Sequence, residues 1–203
     1  MAESLNIFPE SLVRESIGKA LTHIKTSTMD YLAVLLNGMQ WEGYDFYQQA
    51  KSLLIEESGG RQLSMGYRYD AQQTVSPALI LAMESEEPAS TNEWLALGQG
   101  FVTADDLVLG DGEATYFTRR KKATMSLTIL SDNPAETAML YTTMTGLLLS
   151  LQLHLHLSGL EQLTIGGGSS GRYEALLPAI SSRVILLNFE YNYSAPSIPA
   201  GLQ

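Results

Sequence analysis

Cysteine is absent from this chain of 203 residues, which excludes disulfide bonds, thiolate metal sites and cysteine nucleophiles. No run of about 18 uncharged apolar residues is present, and this excludes a membrane-spanning helix. The first residues, Met1 to Leu5, lack a basic segment followed by an apolar one, so we expect no secretory signal. Charged residues make up only 17% of the chain, whereas 45% are apolar. A disordered chain is excluded by that composition, and surface covered by partner subunits is favoured.

Basic residues are few and unevenly placed. The chain has 12 Lys and Arg against 22 Asp and Glu, a net charge of -10. Residues 1–113 hold 17 acidic and 6 basic residues, net -11, and residues 114–203 hold 5 and 6, net +1. Between Arg68 and Arg119 there is no Lys or Arg. Because phosphate contacts need many basic side chains, this balance argues against a dedicated nucleic-acid-binding protein.

An acidic interval is followed by the only dense basic cluster. The acidic side chains nearest the cluster are Asp105, Asp106, Asp111 and Glu113, and the cluster is Arg119, Arg120, Lys121 and Lys122. In one interpretation both groups are solvated and serve solubility. In the other, the acidic interval of one subunit faces the basic cluster of the next, a head-to-tail contact that can close into a ring.

The N-terminal part of the chain, residues 1–60, is predicted to be helical. Pro9 suits the first turn of a helix over residues 9–25, because its fixed φ fits there and apolar residues then recur with helical spacing. An apolar run over 29–37 follows, and the segment 41–57 is left open between helix and strand.

The sequence pattern after residue 60 predicts strands around one long helix. In chain order we expect a buried strand over 77–83, a long acidic loop over 84–113, a strand over 115–130, a helix capped at Asp132-Asn133-Pro134 and running to Leu157, a short strand over 161–165, a flexible turn over 166–171, a long strand over 183–193 and an extended tail from Ala195. The predicted fold class is α+β, a mostly antiparallel sheet flanked by one long helix, with a helical N-terminal region and extended arms. The predicted regions are 1–60 (helical), 61–195 (α+β core) and 196–203 (tail).

Most candidate catalytic and ligand-binding motifs in this sequence lack the residue spacing that their chemistry requires. Gly166 to Gly171 formally contains a GxGxxG pattern, but a dinucleotide site needs a helix directly after it, and Pro178 leaves room for little more than a turn. We therefore favour a mobile hairpin loop. His154 and His156 diverge by about 200° on a helix, so they cannot share a metal ion. No serine has a base near it in an interpretable pattern. We predict no enzyme activity, no cofactor and no metal site.

The second half of the chain resembles bacteriophage tail-terminator or tail-completion (head–tail connector) proteins over about residues 65–195. The resemblance lies in the layout of these segments: Tyr116-Phe117-Thr118-Arg119-Arg120, the strand Ala123 to Leu130, Asn133-Pro134-Ala135-Glu136-Thr137 opening a long helix, Gly159-Leu160, the strand Leu163 to Ile165, and Ser182 to Tyr191. Pro77 to Met83 followed by acidic residues fits the same layout.

This resemblance implies a virion component without catalytic activity. It implies a homo-oligomeric ring, a hexamer, which binds the tail tube protein on one side and a neck or connector protein on the other. DNA would pass through the lumen without sequence-specific binding, and no membrane is involved. The implied subunit or partner interface comprises Arg119, Arg120, Lys121, Lys122, Asp105, Asp106, Asp111, Glu113, Gly167 and Gly168. Two alternatives stay open: another virion assembly subunit (head-completion or baseplate), and a nucleotide-binding protein that uses the Gly166–Gly171 loop.

Overall fold

The computed structural model describes residues 7–56, 61–67, 76–89, 101–102, 116–168 and 180–196. Its helices are α1 (Pro9–Thr26), α2 (Tyr31–Leu36), α3 (Phe46–Leu54) and α4 (Pro134–Leu157). Its strands are β1 (Gln40–Trp41), β2 (Tyr44–Asp45), β3 (Ser64–Gly66), β4 (Ala78–Pro88), β5 (Phe101–Val102), β6 (Tyr116–Ser131), β7 (Glu161–Gly168) and β8 (Ser181–Pro196).

One mixed sheet organises the described part of the chain. Its strand order is β3-β4-β6-β8-β7, with β5 paired to β6, while β1 and β2 form a separate hairpin. β3 runs parallel to β4, and the other pairs in this sheet are antiparallel. The α+β class is therefore confirmed. The sheet is mixed, with four antiparallel pairs and one parallel pair, and in the described residues three shorter helices accompany the long one.

The long pair β6 and β8 forms the centre of the sheet. Their register is continuous from Tyr116 opposite Pro196 to Ser131 opposite Ser181. The inward side chains of both strands are fully or almost fully buried beneath α4; they are Ala123, Met125, Leu127, Ile129, Ile185, Leu187 and Phe189. This confirms the predicted alternation, because every second residue of a strand faces the same side.

The start and end of α4 follow the predicted signals. The Asn133 side chain accepts hydrogen bonds from the backbone N–H groups of Ala135 and Glu136, and Pro134 occupies the first helical position. The helix ends at Leu157, and Gly159 follows with φ +102°, a left-handed conformation that glycine adopts without strain. Both boundaries are thus set by local chemistry.

The sequence pattern of segment 41–57 did not decide between helix and strand, and the structure shows that the segment contains both. Trp41 belongs to the β1–β2 hairpin, and Asp45 then caps α3 by accepting a hydrogen bond from the Gln48 N–H. Buried side chains of α1, α2 and α3 join the same apolar core as the sheet and α4.

Three predicted segments need correction. Residues 84–88 belong to β4 rather than to an acidic loop: Glu87 and Pro88 lie opposite Lys122 and Lys121 on β6, and Lys121 forms an ion pair with Glu86 across the two strands. Gly166–Gly168 belong to β7 rather than to a flexible turn, since they pair with Leu186, Ile185 and Val184. Ala195 and Pro196 end β8, so the strand continues into the predicted tail.

Among the helices that the structure describes, none combines the length and the apolarity required to span a bilayer.

Replacing Asn133 with Ala is expected to lower the free energy of unfolding by about 1 kcal/mol, because two N–H groups of the first turn of α4 lose their acceptor. Asn133→Asp, which keeps the acceptor, is the matched control and is expected to unfold like the wild type. Urea unfolding followed by circular dichroism measures both. Equal losses in the two variants would contradict the capping role.

Candidate functional site

The C-terminal half of α4 carries leucine on every side. Its sequence from Leu147 to Leu157 is LLLSLQLHLHL. Leu148 and Leu155 are fully buried against the core, whereas Leu149, Leu153 and Leu157 are 54, 68 and 77% exposed. A helix that is apolar all round is normally covered all round. The three exposed leucines, here called the leucine stripe, therefore form a surface that lacks a partner within the described chain.

The leucine stripe lies on a face of α4 that α2 covers nearer the N-terminus of the helix. Leu153 and Leu157 lie within about 20° of Gly146 around the helix axis. At Gly146 the side chain of Leu35 packs so closely that an added Cβ would lie 2.6 Å from it. The hydroxyl of Tyr31 donates to the Gly146 carbonyl at 3.1 Å. The same face is thus packed at Gly146 and uncovered beyond it.

An uncharged groove of about 720 Å³ runs between the leucine stripe and β7. The side chain of Gln152 spans its floor, because its Nε2 donates to the Leu163 carbonyl at 3.1 Å and ties helix to strand. The residues that line the groove are neutral or weakly basic: Leu149, Ser150, Gln152, Leu153, His156, Gln162, Leu163 and Thr164. In a chain of net charge -10, this groove offers a surface without carboxylates.

β7 is an end strand of the sheet, and no strand of the described ranges pairs with its outer edge. Its last three residues are Gly166, Gly167 and Gly168. A Cβ on Gly167 would lie 2.9 Å from the Tyr141 hydroxyl, and one on Gly168 would lie 2.9 Å from Leu186 Cγ. Glycine at both positions therefore allows close packing. Since no described strand pairs with this edge, its backbone N–H and C=O groups are placed to pair with another strand.

The basic cluster is partly neutralised within the chain. Arg120 Nε donates to Glu190 and its Nη2 donates to Glu161, both at 2.5 Å. These residues lie on β6, β8 and β7, so the guanidinium ties three neighbouring strands together. Glu161 and Glu190 are cross-strand partners, and without the arginine their like charges would repel.

Lys121 is also engaged within the chain. Its ammonium group pairs with Glu86 and lies 4.4 Å from the centre of the Tyr193 ring. The hydrogen bond from Lys121 lowers the pKa of Glu86, while burial, followed by the charge of Glu86, raises the pKa of Tyr191. Lys121 is therefore paired with Glu86 of its own chain, whereas the sequence analysis expected a contact between subunits.

The other predicted interface residues have two outcomes. Arg119 and Lys122 are exposed, and they form no ion pair with the residues that the structure describes. The acidic residues Asp105, Asp106, Asp111 and Glu113 lie outside the described residues. Charge pairing between subunits therefore stays a prediction.

A buried carboxylate, which the sequence reasoning missed, joins the N-terminus of α4 to the sheet. Glu136 accepts hydrogen bonds from Arg61 Nη2 at 3.0 Å and from the Ser131 hydroxyl. Arg61 also donates to Asp132 at 3.1 Å. Burial, assisted by the charge of Glu136, raises the pKa of Tyr44 to about 12. Every carboxylate here has a partner, so the cluster acts as a cross-link between elements.

The histidines do not converge. His23, His154 and His156 are all exposed. His23 and His154 line opposite sides of an apolar crevice of about 350 Å³ between α1 and α4. Within the described ranges, no group of three His, Asp or Glu side chains is placed to hold a metal ion.

No family model matches this chain, and no curated protein sequence matches it.

Arg120→Gln is expected to lower the free energy of unfolding by about 1–2 kcal/mol, because Glu161 and Glu190 are left facing each other without a cation. Arg119→Gln is the matched control, since Arg119 lacks an ion pair in the described chain. Thermal unfolding at low and high salt measures both variants. An Arg120 variant as stable as the Arg119 variant would contradict the strand-tying role.

Glu86→Gln tests the Lys121 pair through pH. Because the folded-state pKa of Glu86 is lowered from 4.5, its ion pair stabilises the fold above that value, and the stabilisation disappears as pH falls through the lowered pKa. The variant is expected to be less stable than the wild type at pH 7, and the two should converge in strong acid. A difference in urea midpoint that does not change with pH would contradict this account.

Proposed function

We propose that this chain is a ring-forming structural subunit that joins the tail tube of a tailed bacteriophage to the head connector. The observation that carries the proposal is the leucine stripe beside the open edge of β7. It provides an apolar contact surface and a hydrogen-bonding edge side by side, and neither is covered within the described chain.

Association through this surface is energetically reasonable. Burying a leucine side chain stabilises a complex by about 1.5–3 kcal/mol, and each of the three stripe leucines is more than half exposed. The stripe alone contributes about 3–6 kcal/mol on this scale, which roughly offsets the lower estimates of the entropic cost of association. Strand pairing at β7 would add directional hydrogen bonds to this apolar contribution.

A ring follows when the surface meets a different surface of the next copy. The two ends of the sheet are unlike, because β7 has eight residues and β3, at the opposite end, has three. A contact between unlike surfaces repeats from copy to copy, and it closes into a ring when the rotation permits. We propose a hexamer, as the resemblance to tail-terminator proteins implies.

The order of elements supports the same assignment. β6, α4, β7 and β8 follow one another in the order expected from the tail-terminator resemblance, with the long helix against the sheet. The finer description proposed here is a tail-terminator-like core over residues 61–195. The helical N-terminal region would be an addition to that core.

The partners follow from this proposal. The ring would contact the tail tube protein on one face and a neck or connector protein on the other, and would reside in the virion. Its lumen would let DNA pass without binding, since a net charge of -10 per chain disfavours retention of a phosphate backbone.

Two alternatives are less well supported. A dinucleotide site at Gly166–Gly171 requires a parallel strand after the glycine turn, whereas β7 and β8 are antiparallel and Gly166–Gly168 pair within the sheet. A head-completion or baseplate subunit would use similar surfaces. Electron microscopy of labelled particles distinguishes that alternative by position.

Leu153→Glu is expected to convert the assembled protein to monomers, because it places a charge in the centre of the leucine stripe. The expected loss is about 3 kcal/mol per contact, roughly 150-fold in affinity. Light scattering at micromolar concentration gives the mass, and negative-stain microscopy shows whether the wild type forms rings with a central hole.

Leu153→Met keeps an apolar side chain of similar size and is the matched control for assembly. Since Leu153 is 68% exposed, neither variant should change the thermal unfolding of a monomer. A Leu153→Glu protein that retains the wild-type mass, or a wild type that stays monomeric and forms no rings, would contradict the proposal.

A further inference from the structure

Arg183 is held against two aromatic rings, those of Tyr141 and Trp41. Its Cζ lies 5.5 Å from the centre of the Tyr141 ring and 6.0 Å from that of Trp41. Tyr141 belongs to α4, Trp41 to the β1–β2 hairpin and Arg183 to β8, so three separate elements meet there. Cation–π attraction fixes the guanidinium in this position.

The guanidinium has no acidic partner in the described chain. The arginines of the buried and strand-tying clusters, Arg61 and Arg120, each pair with two carboxylates. Arg183 pairs with none among the described residues and its side chain is exposed. The N–H donors of a guanidinium match the two oxygens of a carboxylate.

Arg183 and its two rings lie near β7, the strand to which another segment could pair. The Tyr141 hydroxyl approaches β7 at Gly167, where any side chain would collide with it. This approach places the hydroxyl over the face of β7 that α4 covers. Gly168 lies opposite Val184, the residue after Arg183, so a segment that pairs with this end of β7 would lie one strand away from Arg183.

We propose that Arg183 binds a carboxylate from the acidic segment 105–113 of a second copy of this chain; as an intersubunit contact, this rests on the proposed ring. Asp105, Asp106, Asp111 and Glu113 supply four carboxylates within that segment, and no Lys or Arg occurs between Arg68 and Arg119 to neutralise them. The sequence alone suggests Arg119 to Lys122 as the receptor. Arg120 and Lys121, however, are occupied within their own chain.

A carboxylate fits this site better than a nucleic-acid phosphate. A phosphate backbone is bound by many cations acting together, and this chain has a net charge of -10. A single fixed guanidinium suits one bidentate carboxylate. In a ring, each copy would also bring its own acidic segment to the next at high effective concentration.

The test is a titration with a synthetic peptide of residues 103–115. The full-length chain carries Leu153→Glu, so that assembly does not occupy the site, and Trp94→Phe, so that Trp41 is the single tryptophan. Calorimetry gives the affinity, and Trp41 fluorescence reports whether the peptide reaches the rings. We expect binding that weakens with salt and changes Trp41 emission.

Arg183→Gln is expected to weaken peptide binding at least tenfold, and Arg183→Lys to weaken it less because the charge remains. A peptide with Asn or Gln at the four acidic positions is the matched control and should not bind. Equal binding by the Arg183→Gln protein, equal binding of the neutral peptide, or no binding at millimolar peptide would each overturn the proposal.

The outcome also separates this site from the ring. Peptide binding that depends on Arg183, in a chain whose wild type never assembles, upholds the carboxylate site and contradicts the proposed function. Rings that form while the peptide fails to bind uphold the proposed function and overturn the carboxylate site.

Discussion

The uncovered leucines of α4 are the constraint on which the proposed function depends. One side of this helix packs on the sheet, where Leu148 and Leu155 are fully buried, and α2 covers another side at Gly146. The described elements leave the face beyond Gly146 bare over the last turns. Water around apolar side chains is unfavourable, so a chain with this helix is more stable when something covers that face.

The edge of β7 can fix the orientation of a partner that binds to the leucine stripe. Hydrophobic contact alone does not fix how two surfaces are oriented, whereas strand pairing fixes both alignment and register. The glycines of β7 permit Tyr141 and Leu186 to pack closely, and they leave little side chain over the exposed edge. A helix face and a strand edge that lie together can therefore specify a single arrangement of neighbours.

Charge within the described chain is used mainly for internal cohesion. Arg120 joins three strands, Lys121 joins β6 to β4, and Arg61 joins Glu136 and Asp132 at the start of α4. These pairs bring residues that are far apart in sequence into contact. Arg183 differs, because it contacts two aromatic rings and forms no ion pair with the residues that the structure describes.

The elements with local signals could be predicted from the sequence. The Asn133-Pro134 cap, the alternation along β6 and β8 and the glycine after Leu157 act over a few residues, so the strand–helix–strand–strand order and the α+β class could be predicted. Three features could not be predicted in this way: Glu84 to Pro88 extend β4, β3 runs parallel to β4, and Arg120 and Lys121 are paired internally. Those outcomes depend on partners distant in the chain, such as Glu161 and Glu190 for Arg120. Identifying the leucine stripe required both the sequence and the structure. The spacing of its leucines is visible in the sequence, but whether another element covers them depends on how the whole chain packs.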